Sequence, residues 1–356
     1  MISGDARRKK KERAPRKKAV PPVRRGDEPM TADFLRSEQC ETVAAVSRRL
    51  WSPELFCRLF AESDSAGRRR LRLAVLAGTQ GRCRQQGFDP GVMLEEKEPL
   101  GEAGEGPAAV HLAACDTLDC VRWLRERGHK QVSCLVMASR SQLGGGFERG
   151  AGAQEEHIYR STSLSLLHDK GAALATELSV FQFDRCPILR SSERHGYRHL
   201  ARPVRAHFVS MAGVAHPQTE GERMDRASSK LLEAKLVRLL QCVPSGAALV
   251  LGAWGCGAYA CPPLHVAEIF KSVLARHGAG RLVYFALLPR GRKALNNLRD
   301  FESVFKQAAV EMAPLEERTR AALAFLLVYT FRRPECMWGM PKEVAAAIAR
   351  FVLADA

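Results

Sequence analysis

The stretch VSCLVMASRSQLGGGFERGAGAQEE, residues 132–156, decides the fold. Its first seven residues, 132–138, are a continuous apolar run that reads as a strand buried on both faces. Gly144, Gly145 and Gly146 follow in a loop and can press backbone against a ligand without side-chain obstruction. Seven residues later, Gln154-Glu155-Glu156 opens what reads as a helix over 154–168. A strand that passes through a glycine loop into a helix is one unit of a layered α/β domain. A backbone cradle beside two acids fits a site that grips an anionic sugar-phosphate and breaks a bond next to it.

The same rhythm extends outward. Residues 110–114 read as a strand, and 116–127 as a helix with Gly128 just past its end. Downstream, 180–183, 206–214, 247–251 and 282–288 read as strands, and 223–240 and 264–276 as helices. Upstream, 30–62 shows helical spacing, with Pro53 as the first helical residue after Ser52. The short apolar run 71–77 is followed by Gly78, Gly81 and Gly87, which break the pattern. Past Pro314, residues 315–329 and 342–353 read as two helices, whose apolar faces dock on the main domain or serve a partner. No internal repeat is present.

Composition bounds the function. The chain has 356 residues and a net charge of +16. No run of about 18 apolar residues appears, so a membrane span is not expected. The basic N-terminus has no apolar segment after it, so it is not read as a secretory signal. Eleven scattered cysteines without a CxxC pair point to a reducing, intracellular location. Cys256, Cys261 and His265 match no standard zinc spacing and are read as packing, so neither a metal nor a cofactor is expected. The positive charge concentrates in residues 1–25, where Arg7-Arg8-Lys9-Lys10-Lys11 and Arg16-Lys17-Lys18 alternate with prolines. Such a tail cannot bury a core and is expected to be disordered, serving nuclear import or non-specific polyanion contact.

A second glycine loop leaves another buried strand: Leu251-Gly252-Ala253-Trp254-Gly255-Cys256-Gly257-Ala258-Tyr259. Two such loops, each at the carboxyl end of a strand, fit opposite sides of one ligand at the sheet edge. Neither is followed by Gly-Lys-Ser/Thr, so neither is a Walker A loop. A dinucleotide fold is disfavoured as well, because no ribose-binding acid follows at the expected spacing.

The triple glycine, seven residues and then Gln154-Glu155-Glu156 resemble the signature of microbial-type poly(ADP-ribose) glycohydrolases, which are macrodomain enzymes. Asp116-Thr117, Tyr159-Arg160-Ser161 and Leu251–Tyr259 follow the same family's pattern in the same order. The resemblance runs from about residue 68 to about 305. It implies a three-layer α/β/α macrodomain with a mixed central sheet, and exo-type hydrolysis of the ribose–ribose O-glycosidic bond of poly(ADP-ribose). Carried onto this chain, Glu156 is the catalytic acid and Glu155 orients the ribose. Gly144, Gly145 and Gly146 bind substrate with Gln154 and Ser139, and Gly255, Cys256, Gly257, Ala258 and Tyr259 form the diphosphate loop. Four positions depart from the family's pattern: Leu143 stands where proline is common, Gln142 and Ser139 where asparagine is, and Cys261 where a small polar residue is frequent.

The chemistry can also be reasoned without the family. Glycosidases usually place two carboxylates across the sugar. Neighbouring helical residues point about 100° apart, so Glu155 and Glu156 cannot flank one sugar that way. One proton donor and one positioning group is the better division, and Gln154 reads as a brace between loop and helix. The alternatives are a reader module that binds ADP-ribose without cleaving it, and a hydrolase of another ADP-ribosyl linkage. The expected organisation is a basic tail over 1–29, a macrodomain with an N-terminal helical portion over 30–312, and a helical extension over 313–356. The expected partners are poly(ADP-ribose) and ADP-ribosylated proteins, met by a monomeric, nuclear protein of the DNA damage response.

Overall fold

The computed structural model describes residues 28–47, 49–94, 104–167, 172–289 and 291–314. The two helices read at 315–329 and 342–353, and the basic segment up to residue 27, lie outside the described residues. The tail boundary shifts at its inner end: Glu28 and Pro29 pair in parallel with Arg49 and Leu50.

Seven strands form one mixed sheet: β1 (Val92–Leu94), β2 (Ala109–Ala113), β3 (Val132–Ala138), β4 (Phe181–Arg190), β5 (His199–Ala212), β6 (Ala248–Leu251) and β7 (Leu282–Ala286). Their spatial order is β1-β4-β5-β3-β6-β7-β2. From β5 to β2 every pairing is parallel, whereas β1, β4 and β5 pair antiparallel. Ten helices accompany the sheet among the described residues: α1 (Ala32–Arg36), α2 (Val43–Val46), α3 (Pro53–Glu62), α4 (Ser65–Gln86), α5 (Thr117–Glu126), α6 (Gln154–Ser161), α7 (Leu164–Leu167), α8 (Arg226–Cys242), α9 (Pro263–His277) and α10 (Arg292–Phe305).

Alternate strand residues separate two cores, as the period of two requires. Leu135, Val209, Leu249 and Phe285 face Leu236 of α8, Phe270 of α9 and Phe301 of α10. Cys134, Val136, Phe208 and Val250 face Leu118 and Val121 of α5 and Ile158 of α6. The expected three-layer α/β/α architecture is therefore present. A third core, with Phe34, Phe56, Phe60, Leu71, Val75 and Tyr197, unites α1–α4 into a helical lobe. Ser52 caps α3 by accepting from the Leu55 amide, with Pro53 next, as its sequence predicted.

Several elements differ from the sequence expectations. Residues 71–87 do not break at their first glycines; they continue as the 22-residue α4. A β-carbon on Gly78 would lie 2.3 Å from Arg190 Nη2, and one on Gly81 would lie 1.9 Å from Ser47 Oγ. These glycines are points of close packing, and only Gly87, in the left-handed conformation, ends the helix. The short strand readings at 180–183 and 206–214 cover only parts of β4 and β5, two arms of a long antiparallel ribbon. Polar residues and the register shift between Phe183 and Cys186 hid its outer half. The helix read over 154–168 breaks at Thr162, whose backbone is extended and bridges Ile188. Neither β1 nor α10 was anticipated. No described helix is long and apolar enough to cross a membrane.

Candidate active site

Strands β3, β6 and β7 are parallel neighbours, so the loops after them open on one edge of the sheet. A cavity of about 830 Å³ lies there, lined by Ser139, Gln154–Glu156, Gly255 and Gly257–Tyr259 among others. Ser139, at the start of the first loop, and the second glycine loop share this cleft, which Gly144, Gly145 and Gly146 do not line.

The first loop grips the acids. Glu155 is nearly fully buried, and both its oxygens are occupied: Oε2 accepts from the Ser139 amide at 2.8 Å and Oε1 from the Gly144 amide at 2.7 Å. Glu156 Oε1 accepts from the Gly146 amide at 2.9 Å. Its other oxygen, Oε2, is buried and has no hydrogen-bond partner among the described residues. Both carboxylates converge on Gly145, where a β-carbon would sit 2.5 Å from Glu156 Oε1 and 2.9 Å from Glu155 Oε2. The pair therefore lies on one side of any bound sugar. Burial pushes Glu155 up to about 8, with the Glu156 charge adding to the rise and the two amides opposing it. A carboxyl whose oxygens both hold backbone N–H groups is a fastener. Glu156 also lines the cavity and keeps one oxygen without a partner among the described residues, so of the two it is the one with capacity left to exchange a proton.

This geometry corrects the role expected for the triple glycine. The amides of Gly144 and Gly146 go to the two glutamates, and that of Gly145 goes to the Gln142 carbonyl at 2.9 Å. The three glycines do not form an open anion cradle; they lie behind the acids and fix them. Ser139 does line the cavity, while its amide holds Glu155.

Gln154 has a more specific job than bracing the loop. Strand β6 pairs with β3 only as far as Cys134, so the following β3 backbone lacks a strand neighbour on that side. Gln154 Nε2 donates to the Leu135 carbonyl at 2.8 Å, and its Oε1 accepts from the Met137 amide at 2.9 Å. The side chain thus replaces one peptide unit of the missing strand and fixes the start of α6. Gln154→Ala should destabilise the fold by about 2–3 kcal/mol, because a buried donor and acceptor lose their partners. A chemical-denaturation midpoint unchanged from wild type would contradict this.

The second loop spends its amides differently. Gly255, Gly257, Ala258 and Tyr259 line the cavity, and among the described residues their N–H groups donate to no backbone carbonyl. Successive amides left free in a loop can meet an anion, and those of the first loop are already taken. Lys293 of α10 donates to the Gly257 carbonyl at 2.8 Å and steadies the loop. Tyr259 donates its hydroxyl to the Ala138 carbonyl at 3.4 Å and bridges to the end of β3. Cys256 does not belong to the lining. It is fully buried, its amide donates to the Ala253 carbonyl and its thiol to that of Trp254. Cys261 and His265 have packing partners of their own: the Cys261 thiol donates to the Val214 carbonyl, and His265 Nδ1 accepts from the Met224 amide.

The sequence reading missed a polar chain beside Glu156. His157 Nε2 lies 3.3 Å from Asp116 Oδ1, and His157 Nδ1 lies 3.2 Å from the Tyr197 hydroxyl. That hydroxyl donates to Glu193, which pairs with Arg72 at 2.9 Å. Burial opposes a charge on His157, but the Asp116 carboxylate overcomes it and holds the imidazole up at about 10. Burial likewise raises Asp116, and the imidazolium outweighs this and keeps it below its ordinary value. The folded pKa of His157 is above its unfolded value of 6.5, so its stabilisation is complete below that pH and is lost as pH rises through about 10. The depressed Asp116 loses its contribution only as pH falls through its lowered value, in acid. Asp116→Asn keeps a cap on α5 but should cost about 3 kcal/mol near neutral pH, because it leaves a buried charge unpaired. It should also flatten the decline in melting temperature between pH about 7 and about 10. Parallel melting curves for variant and wild type across that range would refute the pairing.

The three layers and the mixed sheet, with an acid pair and a glycine loop at its carboxyl edge, make the fold macrodomain-like. Residues 78–176 match the family model described as microbial-type PARG, catalytic domain, a stretch that holds the first loop and both acids. The fold is also similar to that of the poly(ADP-ribose) glycohydrolase of Thermomonospora curvata, with 27% identity and a TM-score of 0.51 over 62% of this chain and 87% of that one. The Deinococcus radiodurans enzyme, solved with ADP-ribose, shows 23% identity and a TM-score of 0.49 over 65% of this chain and 97% of that one. No curated protein matches the chain. The resemblance of this chain is thus to the catalytic domain of the microbial-type poly(ADP-ribose) glycohydrolases.

Proposed function

We propose that this protein hydrolyses the ribose–ribose O-glycosidic bond of poly(ADP-ribose) from the chain end and releases ADP-ribose. The observation that carries this reading is Glu156: it lines the cleft, one oxygen is fixed by the Gly146 amide, and the other is buried without a partner among the described residues. The matched family and the Thermomonospora enzyme support the same substrate.

The geometry supports the following sequence. The diphosphate of the terminal unit lies on the amides of Gly255 and Gly257–Tyr259, which brings its distal ribose to the acids. Glu156 gives its proton to the glycosidic oxygen as the C1–O bond breaks, and the departing unit leaves with a hydroxyl. A phosphate oxygen of the substrate stands near the oxocarbenium-like centre and offsets its charge. Water then attacks C1 and returns a proton to Glu156. Glu155, with both oxygens on backbone amides, moves no proton and keeps the loop in register with the helix. A reader module has no use for an unspent carboxylate at this position.

The test is release of free ADP-ribose when the purified chain meets an auto-modified polymerase. Binding without release would assign the protein to the reader class. The basic segment further supports a nuclear protein. Deleting residues 1–27 should abolish nuclear accumulation, and unchanged retention would reject that role.

A further inference from the structure

The cavity continues past the acids. The second loop buries Trp254 and Cys256 in the core shared with α8, α9 and α10, whereas α6 packs on the opposite face of the sheet. The cleft therefore crosses the sheet edge from one helical layer to the other. On the α6 side its wall includes Phe60, Arg68 and Arg72 of the helical lobe and Arg160 of α6.

This end carries more positive charge than the fold pairs. Arg72 meets Glu193, and His157 meets Asp116. Arg68 Nε donates to the Phe60 carbonyl at 3.0 Å, with no carboxylate partner among the described residues. Arg160 is fully buried; it donates to the Ala151 carbonyl at 2.5 Å, and its Nε and Nη2 have no partner among the described residues. A buried guanidinium with idle donors is costly unless an anion meets it. Arg68 and Arg72 stand four residues apart, on one face of α4, and both pack over the Phe60 ring, at 5.3 and 5.0 Å. Both also precede residue 78, where the match to the family model begins.

We propose that Arg68, Arg72 and Arg160 form a phosphate subsite for the leaving side of the substrate, taking the diphosphate of the unit that departs when Glu156 protonates the glycosidic oxygen. The inference rests on the glycohydrolase reading, because only a polymer places a second diphosphate on the far side of the scissile bond. Arginine suits this task, since its planar donors match two phosphate oxygens at once; Arg68 and Arg160 have donors to give, while Arg72, held by both Glu193 oxygens, adds its charge. The helical lobe then does more than cover the sheet: it extends the site from one ADP-ribose unit to two.

Two ligands isolate the effect. One is the ribose–ribose-linked dimer of ADP-ribose; the other carries adenosine alone as its leaving group and lacks the second diphosphate. In the Glu156→Gln protein the dimer should bind about tenfold tighter, the worth of a charge-assisted contact, and more so at low salt. Adding Arg68→Gln and Arg72→Gln should erase that preference and leave affinity for the adenosine compound unchanged. Arg68→Gln alone, at an exposed position, should remove part of it without a risk to folding. Equal affinity of the unsubstituted site for both ligands would overturn the subsite, as would an equal loss for both on substitution. A tenfold preference in a wild-type protein that cleaves neither ligand would support the subsite and reject the glycohydrolase reading.

Discussion

Glu156→Gln is expected to lower the rate of ADP-ribose release by about a thousandfold, within the range a positioned general acid supplies. Affinity for ADP-ribose should remain within about threefold of wild type, because the proposed diphosphate contacts reside on another loop and a threefold change is under about 1 kcal/mol. The substitution separates chemistry from architecture. A glutamine Oε1 can still accept from the Gly146 amide, which now meets Glu156 Oε1 at 2.9 Å. The amide nitrogen takes the place of Oε2, the atom that has no partner among the described residues. No internal contact is lost, and only the exchangeable proton disappears. Single-turnover release and calorimetric binding, measured on one preparation, check both halves. Turnover within tenfold of wild type would remove Glu156 from its role.

Gly145→Ala should be as damaging to activity by a different route. Gly145 has φ +58, a conformation that costs an L-residue about 1–2 kcal/mol. Its new methyl would also lie 2.5 Å from Glu156 Oε1 and 2.9 Å from Glu155 Oε2. The carboxylates must yield, and each is tied to the same loop through the Gly144 and Gly146 amides. We expect a loss of at least about a hundredfold in rate, since a misplacement near 1 Å at the reacting groups has that effect. The melting temperature should fall as well, while binding to the second loop survives. An alanine variant that turns over at the wild-type rate would show that the acids do not need this register.

The contrast between the two loops explains why the first was misread. Three consecutive glycines have two possible uses: open amides for a ligand, or close approach of backbone to the protein's own groups. Sequence carries no sign that separates them, because both need the absence of a β-carbon. Gln154 was legible as a brace but not as a substitute for a strand, since that role depends on β6 ending four residues short of β3. The Asp116–His157–Tyr197 chain joins residues 40 or more apart in sequence and left only a faint signal, an aspartate placed to cap a helix. The α4 glycines misled for a related reason. Gly78 and Gly81 face Arg190 and Ser47, partners that no local pattern announces.

Local patterns by themselves determined the layered α/β class, strand β3 to the residue, the start of α6 and the place of Glu155 and Glu156 in its first turn. Those features depend on periodicity and residue type within a few positions, which the chain carries along its length. Only tertiary structure showed that Glu155 spends both oxygens on backbone amides and Glu156 one, that the amides of the first loop's glycines are taken while those of Gly255 and Gly257–Tyr259 meet no backbone carbonyl among the described residues, and that the helical lobe brings Arg68 and Arg72 to the cleft. Each of these turns on where a backbone amide or a charged head finds its partner, and those partners come from strands and helices far apart in the chain.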